Sequence, residues 1–236
     1  GDAGVARLCG ALEGHSCITC LNLAQNAISS IGAEYLARWL RSWALSETPD
    51  QDRADAGSLP GGTGQIGAEC IESMMEVDLP AAPPTERRLT SREHLRSLNL
   101  SFNPLGEHGM AVVALSLHSG ALTGELVLQY INLNPTEGDA RLEPFPLPPL
   151  LTPHGLSRLD LGYNFIGACG QQVDTLRETL ASCTQLRSLS LRRCCIGGWR
   201  RARAIARGLA LNTSLTELDL SYNGLGAATQ AGAGAD

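Results

Sequence analysis

Apolar and polar positions recur along this chain in a fixed order. Four stretches superimpose without gaps as LxxLxLxxNx(L/I): Ile18 to Ile28 (ITCLNLAQNAI), Leu95 to Leu105 (LRSLNLSFNPL), Leu156 to Ile166 (LSRLDLGYNFI) and Leu215 to Leu225 (LTELDLSYNGL). Two more keep the frame with one change each. Leu186 to Ile196 (LRSLSLRRCCI) places Cys194 where the others have Asn, and Thr123 to Leu133 (TGELVLQYINL) places Ile131 there. The second apolar positions, Leu98, Leu126, Leu159, Leu189 and Leu218, follow one another at steps of 28, 33, 30 and 29 residues. That is the length of one supersecondary unit in a repeat architecture.

Within each unit, LxL predicts a short strand whose two leucines enter the core while the residue between them points outward. The Asn falls where the chain leaves the strand. Its amide supplies both donor and acceptor to backbone groups that have lost their ladder partners, and stacked copies are expected to bond from turn to turn. Cys194 is read as a weaker substitute for that Asn. A helix then follows: Gly32, Leu36 and Leu40 come after Ile28, and Gly109, Val113 and Leu117 after Leu105, at helical spacing. Gly4, Leu8 and Leu12 match this helical half alone, as do Gly67, Ile71 and Met75, and IGAE at 31–34 recurs at 66–69.

The alternating strand and helix, the period near 28 to 29 and the Gly at the helix start resemble the ribonuclease-inhibitor-like class of leucine-rich repeats. The opening GVARLCGAL followed by CLNLAQNAI is especially similar. The resemblance implies an α/β solenoid, a horseshoe with a parallel concave sheet and convex helices. Because the matching positions are core positions, it carries over no catalytic residue. Similar repeats occur in nucleotide-binding immune receptors and in the activating protein of the GTPase Ran. Two further roles follow by resemblance: regulation of a small Ras-like GTPase, and the sensing or autoinhibitory segment of a nucleotide-binding receptor.

The array is expected over 1–225, with about seven to eight full or partial repeats. Loop insertions are predicted at 46–63, 79–92 and 134–153, where Asp, Gly and Pro replace the strand and helix pattern. The Pro-rich run from Asn134 to Pro153 reads as extended or mobile, and 226–236 as a disordered tail. Neither end carries the polar cap that closes a solenoid core, so the chain is expected to be a fragment of a longer protein.

Composition narrows the function. At 43% hydrophobic the chain can bury a core, yet only 4% is aromatic, so aliphatic side chains do the packing. A net charge of −6 argues against general nucleic-acid binding. No run approaches a membrane span and no signal peptide is visible, which makes a cytoplasmic location the expectation. The eight Cys lack disulfide-scaffold or metal-framework spacing, and the Cys17–Cys20 pair has no second pair to complete a zinc site. They are read as reduced thiols. The five scattered His complete no nucleophile–base pattern, and the glycines of LPGGTGQIG lack the Lys and Ser/Thr of a phosphate loop. No enzyme, cofactor, metal or small-molecule ligand is read from the sequence.

The candidate chemistry lies on the outward strand positions. The residue before the Asn position is Gln25, Phe102, Tyr130, Tyr163, Arg193 and Tyr222 in successive repeats, four of them aromatic. Stacking the repeats would align them in a column of interface anchors, although such rings also commonly just pack on the turn. The position between the strand leucines holds Asn22, Asn99, Val127, Asp160, Ser190 and Asp219, with Arg158, Arg187 and Arg192 nearby. From Thr179 to Thr216 there are seven Arg and no acid, whereas 46–93 carries ten acids against four Arg. The Arg-rich 187–207 segment reads mainly as a solvated face, with docking of an acidic protein segment or RNA as the alternative. The expectation is a protein-interaction scaffold that binds a partner on the concave face, through Phe102, Tyr130, Tyr163, Tyr222, Asn99, Asp160, Arg158, Arg192, Arg193 and Asp219.

Overall fold

A computed structural model of the chain describes residues 1–13, 15, 17–45, 95–131, 147–151, 155–168 and 170–225. The insertions expected at 46–63 and 79–92, the tail 226–236 and the Gly67, Ile71, Met75 segment lie outside the described residues, as does most of 134–153.

All six motif copies form strands: β1 (Cys20–Asn22), β2 (Leu95–Asn99), β3 (Leu122–Val127), β4 (Arg158–Asp160), β5 (Ser188–Ser190) and β6 (Glu217–Asp219). They make one open parallel sheet in chain order. Parallel neighbours require a crossover, and the helical half of each repeat supplies it. The helices are α1 (Asp2–Leu12), α2 (Ser30–Leu45), α3 (Gly106–Ser116), α4 (Leu147–Leu151), α5 (Gly170–Ser182) and α6 (Trp199–Leu209). This is a leucine-rich-repeat solenoid. β1 pairs directly with β2 in the register Leu21–Leu98, so no strand is intercalated between them despite the long separation in sequence.

The register equates the motif positions across the sheet. Leu21, Leu98, Leu126, Leu159, Leu189 and Leu218 form one row, and Asn22, Asn99, Val127, Asp160, Ser190 and Asp219 the next. The leucine row is fully buried in the middle strands and half-buried at β1 and β6, where a neighbour is present on one side only among the described residues. Leu36, Leu40, Val113 and Leu117 close the core from the helix side, as their spacing predicts.

Three expectations are corrected. In α1 the buried stripe is Val5, Cys9 and Leu12, displaced from the Gly4, Leu8, Leu12 reading. Leu8 is only half-buried, and a Cβ added to Gly4 would meet nothing within 4 Å. At Gly109, by contrast, an added Cβ would lie 3.0 Å from the Ser30 Cα of α2, because there a preceding helix presses on the glycine. The second correction is in β3. Leu95 pairs with Leu122 but Ser97 with Glu125, so β3 carries one extra residue, and buried Leu122 takes the first apolar position that the linear frame gives to exposed Thr123. A β-bulge of this kind is invisible to a gap-free alignment. Gly124 accommodates it, since a Cβ there would collide with the Arg96 carbonyl. Third, the Pro-rich stretch contains a helix: Leu147, Leu150 and Leu151 of α4 are buried. Pro148 and Pro149 fall in its first turn, where a missing N–H sacrifices no helical bond.

Candidate functional site

The strands end in turns of one kind, and two hydrogen-bonding devices, each present in some of the copies, build them. The outward residue of the strand folds its side chain back onto the backbone two residues on. Asn22 Oδ1 accepts from Ala24 N at 3.0 Å, Asn99 Oδ1 from Ser101 N at 3.0 Å, Asp160 Oδ1 from Gly162 N at 2.8 Å and Asp219 Oδ1 from Ser221 N at 2.8 Å. These are Asx turns. Where Val127 has no oxygen to offer, the Ser101 hydroxyl of the preceding repeat accepts the Gln129 N–H at 3.1 Å. Asp160 keeps its second oxygen for Gln129 Nε2 at 2.6 Å. The Ser221 hydroxyl, together with the Ser221 amide and nearby Arg192, holds Asp219 below the usual carboxylate range.

The Asn position is the second device. Buried Asn103 accepts from the Asn26 and Ile28 amides of the preceding turn at 2.9 and 3.0 Å, and donates to the carbonyls of Leu23 and Leu100 at 2.8 and 2.9 Å. Asn164 accepts from Ile131 N at 3.2 Å and donates to Leu128 and Leu161. Cys194 stands in for the Asn with a sulfur: its Sγ donates to the Leu161 carbonyl at 3.2 Å and lies against the Asn164 backbone amide. Burial pushes its thiol up to about 12, so it stays a protonated donor at neutral pH.

Between these devices sits the residue before the Asn position, and the turn forces it into the left-handed region in all six copies. Gln25, Phe102, Tyr130, Tyr163, Arg193 and Tyr222 have φ between 49° and 62°. For a residue with a Cβ that conformation costs roughly 1–2 kcal/mol. No sequence signal announces it, because Gly or Asn would be the usual occupants.

The consequence is a column of side chains along the strand ends. Phe102 and Tyr130 stack with centroids 4.9 Å apart and planes at 22°; Tyr130 and Tyr163 stack at 4.6 Å and 19°. The next place is Arg193, whose guanidinium lies 5.8 Å from the Tyr163 ring. Arg192 ties the last ring in: it donates to the Tyr163 hydroxyl at 3.2 Å and to Ser221 Oγ at 3.3 Å, and lies 4.3 Å over the Tyr222 ring. The Tyr163 hydroxyl is the chief reason this guanidinium is held more firmly in its charged form. The rings do not serve the core: Phe102 is 44% exposed, Tyr130 43% and Tyr222 72%.

The structure therefore brings Phe102, Tyr130, Tyr163, Arg192, Arg193 and Tyr222 together. Asn99, Asp160 and Asp219 stand beside them with one oxygen each committed to the local turn. Arg158 is exposed in the row one residue earlier, between Glu125 and Ser188. The Arg-rich segment is divided: Arg187, Arg192 and Arg193 flank β5, while Arg200, Arg201, Arg203 and Arg207 belong to α6. There Arg200 lies over exposed Trp199 at 5.5 Å and Arg201 donates to the Gly197 carbonyl at 3.4 Å. Sequence reasoning missed Ser101, Gln129 and Ser221, whose roles depend on the neighbouring repeat.

Among the described residues no group of three or more His, Cys, Asp or Glu is placed to hold a metal ion, and no helix is long and apolar enough to cross a membrane. Compared with known families, the chain matches the family model described as Leucine Rich repeat at residues 14–37, 93–114 and 211–228.

Proposed function

We propose that this chain, a leucine-rich-repeat protein, binds a protein partner along the strand-end column of Phe102, Tyr130, Tyr163, Arg193 and Tyr222. Leucine-rich repeats are generally protein-interaction modules. The observation that carries the assignment to this column is the stacking of exposed rings on left-handed backbone. The chain has three Phe and four Tyr, and four of these seven stand here. Large side chains in a strained conformation outside the core are a cost that stability alone does not explain. Their mutual stacking fixes the rotamers before a partner arrives, so little side-chain entropy remains to be lost on contact. Aromatic and Arg side chains are also the commonest anchors of protein interfaces. Asn99, Arg158, Asp160, Arg192 and Asp219 supply a polar rim.

The test is cross-linking mass spectrometry on the tagged chain in lysate of its native source. It is run beside a variant carrying Phe102→Asn, Tyr163→Asn and Tyr222→Asn, because Asn tolerates the left-handed turn. Cross-links to the partner are expected to map beside the column and to fall at least tenfold in a variant that keeps its circular dichroism spectrum. A partner retained undiminished by the folded variant contradicts the reading.

A further inference from the structure

The spacing of the rings constrains what can lie along them. Successive centroids are 4.9 and 4.6 Å apart because each ring sits on its own strand of the sheet. Two steps therefore cover at most 9.5 Å. A polyproline II helix advances about 3.1 Å per residue and presents the same face every three residues, about 9.3 Å. It would stay in step with every second ring. A β-strand presents the same face about every 6.7 Å and falls out of step within two rings.

The chemistry of the column agrees with that period. The ring faces are turned to one another, with planes within about 22°, so a flat nucleobase cannot enter without breaking the stack. With the faces stacked on one another, ring edges are what solvent meets, and Phe102 and Tyr130 are nearly half exposed. Proline rings pack against exposed aromatic surface of this sort, and a proline-rich segment has already lost the entropy that binding would otherwise remove. Beyond Tyr163 the column ends in charge. Arg192 is occupied by the Tyr163 hydroxyl, Ser221 and the Tyr222 ring, whereas the exposed Arg193 extends past the stack with its guanidinium only loosely over Tyr163. A guanidinium so placed is a site for a carboxylate.

Resting on the partner-binding reading above, the geometry points to the partner element: a proline-rich segment in polyproline II conformation lies along Phe102, Tyr130 and Tyr163, with an acidic residue against Arg193. The partner is a protein, recognised through a short linear segment.

The probe is a synthetic peptide of nine prolines flanked on both sides by two aspartates, titrated into the isotope-labelled full chain and followed by NMR. Three competitors accompany it: the same prolines flanked by lysines, an aspartate-flanked Gly-Ser peptide of equal length, and a ten-residue oligothymidine. The aspartate-flanked proline peptide is expected to shift the ring resonances of Phe102, Tyr130 and Tyr163 saturably. It should bind at least fivefold more tightly than the lysine-flanked form and at least tenfold more tightly than the Gly-Ser form. Tyr130→Asn should weaken it at least tenfold. Arg193→Glu, on an exposed side chain that leaves the fold alone, should invert the preference between the acidic and basic flanks. Equal binding of the proline and Gly-Ser peptides, ring shifts produced by oligothymidine alone, or an unchanged order of flanks in Arg193→Glu would each overturn the inference. If it falls while partner cross-links still map to the column, the partner-binding reading stands; if the cross-links leave the column, both fall.

Discussion

The side-chain amide of Asn223 reaches back to the preceding turn and accepts the backbone N–H of Cys194 at 2.8 Å. The same oxygen accepts the N–H of Ile196 at 3.1 Å, while Nδ2 donates to the Leu191 and Leu220 carbonyls at 2.7 and 3.0 Å. Asn103 makes the equivalent four bonds in the turn after β2. These side chains join successive turns where the sheet ladder has ended.

Replacing Asn103 by Leu keeps the branching of the side chain but leaves the Asn26 and Ile28 amides and the Leu23 and Leu100 carbonyls without its bonds in a buried turn. A loss of about 3 kcal/mol is expected in urea unfolding of the full chain, given the cost of unsatisfied buried groups. A change within 0.5 kcal/mol, the size of a neutral surface substitution, would mean that water replaces the amide.

Cys194 offers the donor of this device without the carbonyl oxygen. Cys194→Asn is therefore expected to stabilise the fold by about 1 kcal/mol, the net worth of one added hydrogen bond, and Cys194→Ala to destabilise it. Thermal melts of the two variants should move in opposite directions. Destabilisation by Asn would show that the pocket around the sulfur is too apolar for an amide.

Glycines in the helical halves divide by what lies beside them. A Cβ on Gly4 meets nothing within 4 Å, whereas one on Gly208 would lie 2.5 Å from the Arg177 carbonyl oxygen of α5. Gly4→Ala should raise stability by roughly 0.5–1 kcal/mol through helix propensity. Gly208→Ala should lower it by about 2 kcal/mol through overpacking. Equal effects at the two sites, read from the same unfolding curves, would refute the close approach of α6 to α5.

Much of this was legible in the sequence, and the misses have common causes. LxxLxLxxN located all six strands and their neighbours, because burial of Leu98, Leu126 or Leu159 follows directly from alternation. The column was legible as a list of positions, since equal places in successive repeats must align. Its left-handed backbone was not, because Phe102, Tyr130, Tyr163 and Tyr222 have no intrinsic preference for positive φ and the turn imposes it. The bulge at Gly124 and the helix of Leu147–Leu151 escaped for a related reason: tertiary packing overrode a linear frame in one case and proline's local tendency in the other.

Acid should loosen the first repeat. The carboxylate of Asp2 accepts the Ser29 hydroxyl at 2.6 Å and the Ser29 N–H at 2.8 Å, and these bonds, the hydroxyl foremost, hold its pKa below the ordinary 3.8. Because the folded value is the lower one, this stabilisation is present above about 3.8 and is lost as the pH falls through that value toward the folded one. Asp2→Asn should cost about 1 kcal/mol at pH 7, in line with a lost helix cap. The gap between the two proteins should narrow in thermal melts taken from pH 6 to pH 3. A constant gap would locate the effect elsewhere.

The most direct test of partner binding places a photoreactive benzoylphenylalanine at one position at a time. Tyr222 and Gln25 sample the column, and Arg203 samples the exposed side of α6. Irradiation in native lysate is expected to join the partner to the chain through positions 222 and 25 and to leave position 203 unlinked. Capture through position 203 alone, with the column positions silent, would contradict the account and move the binding surface to the helices.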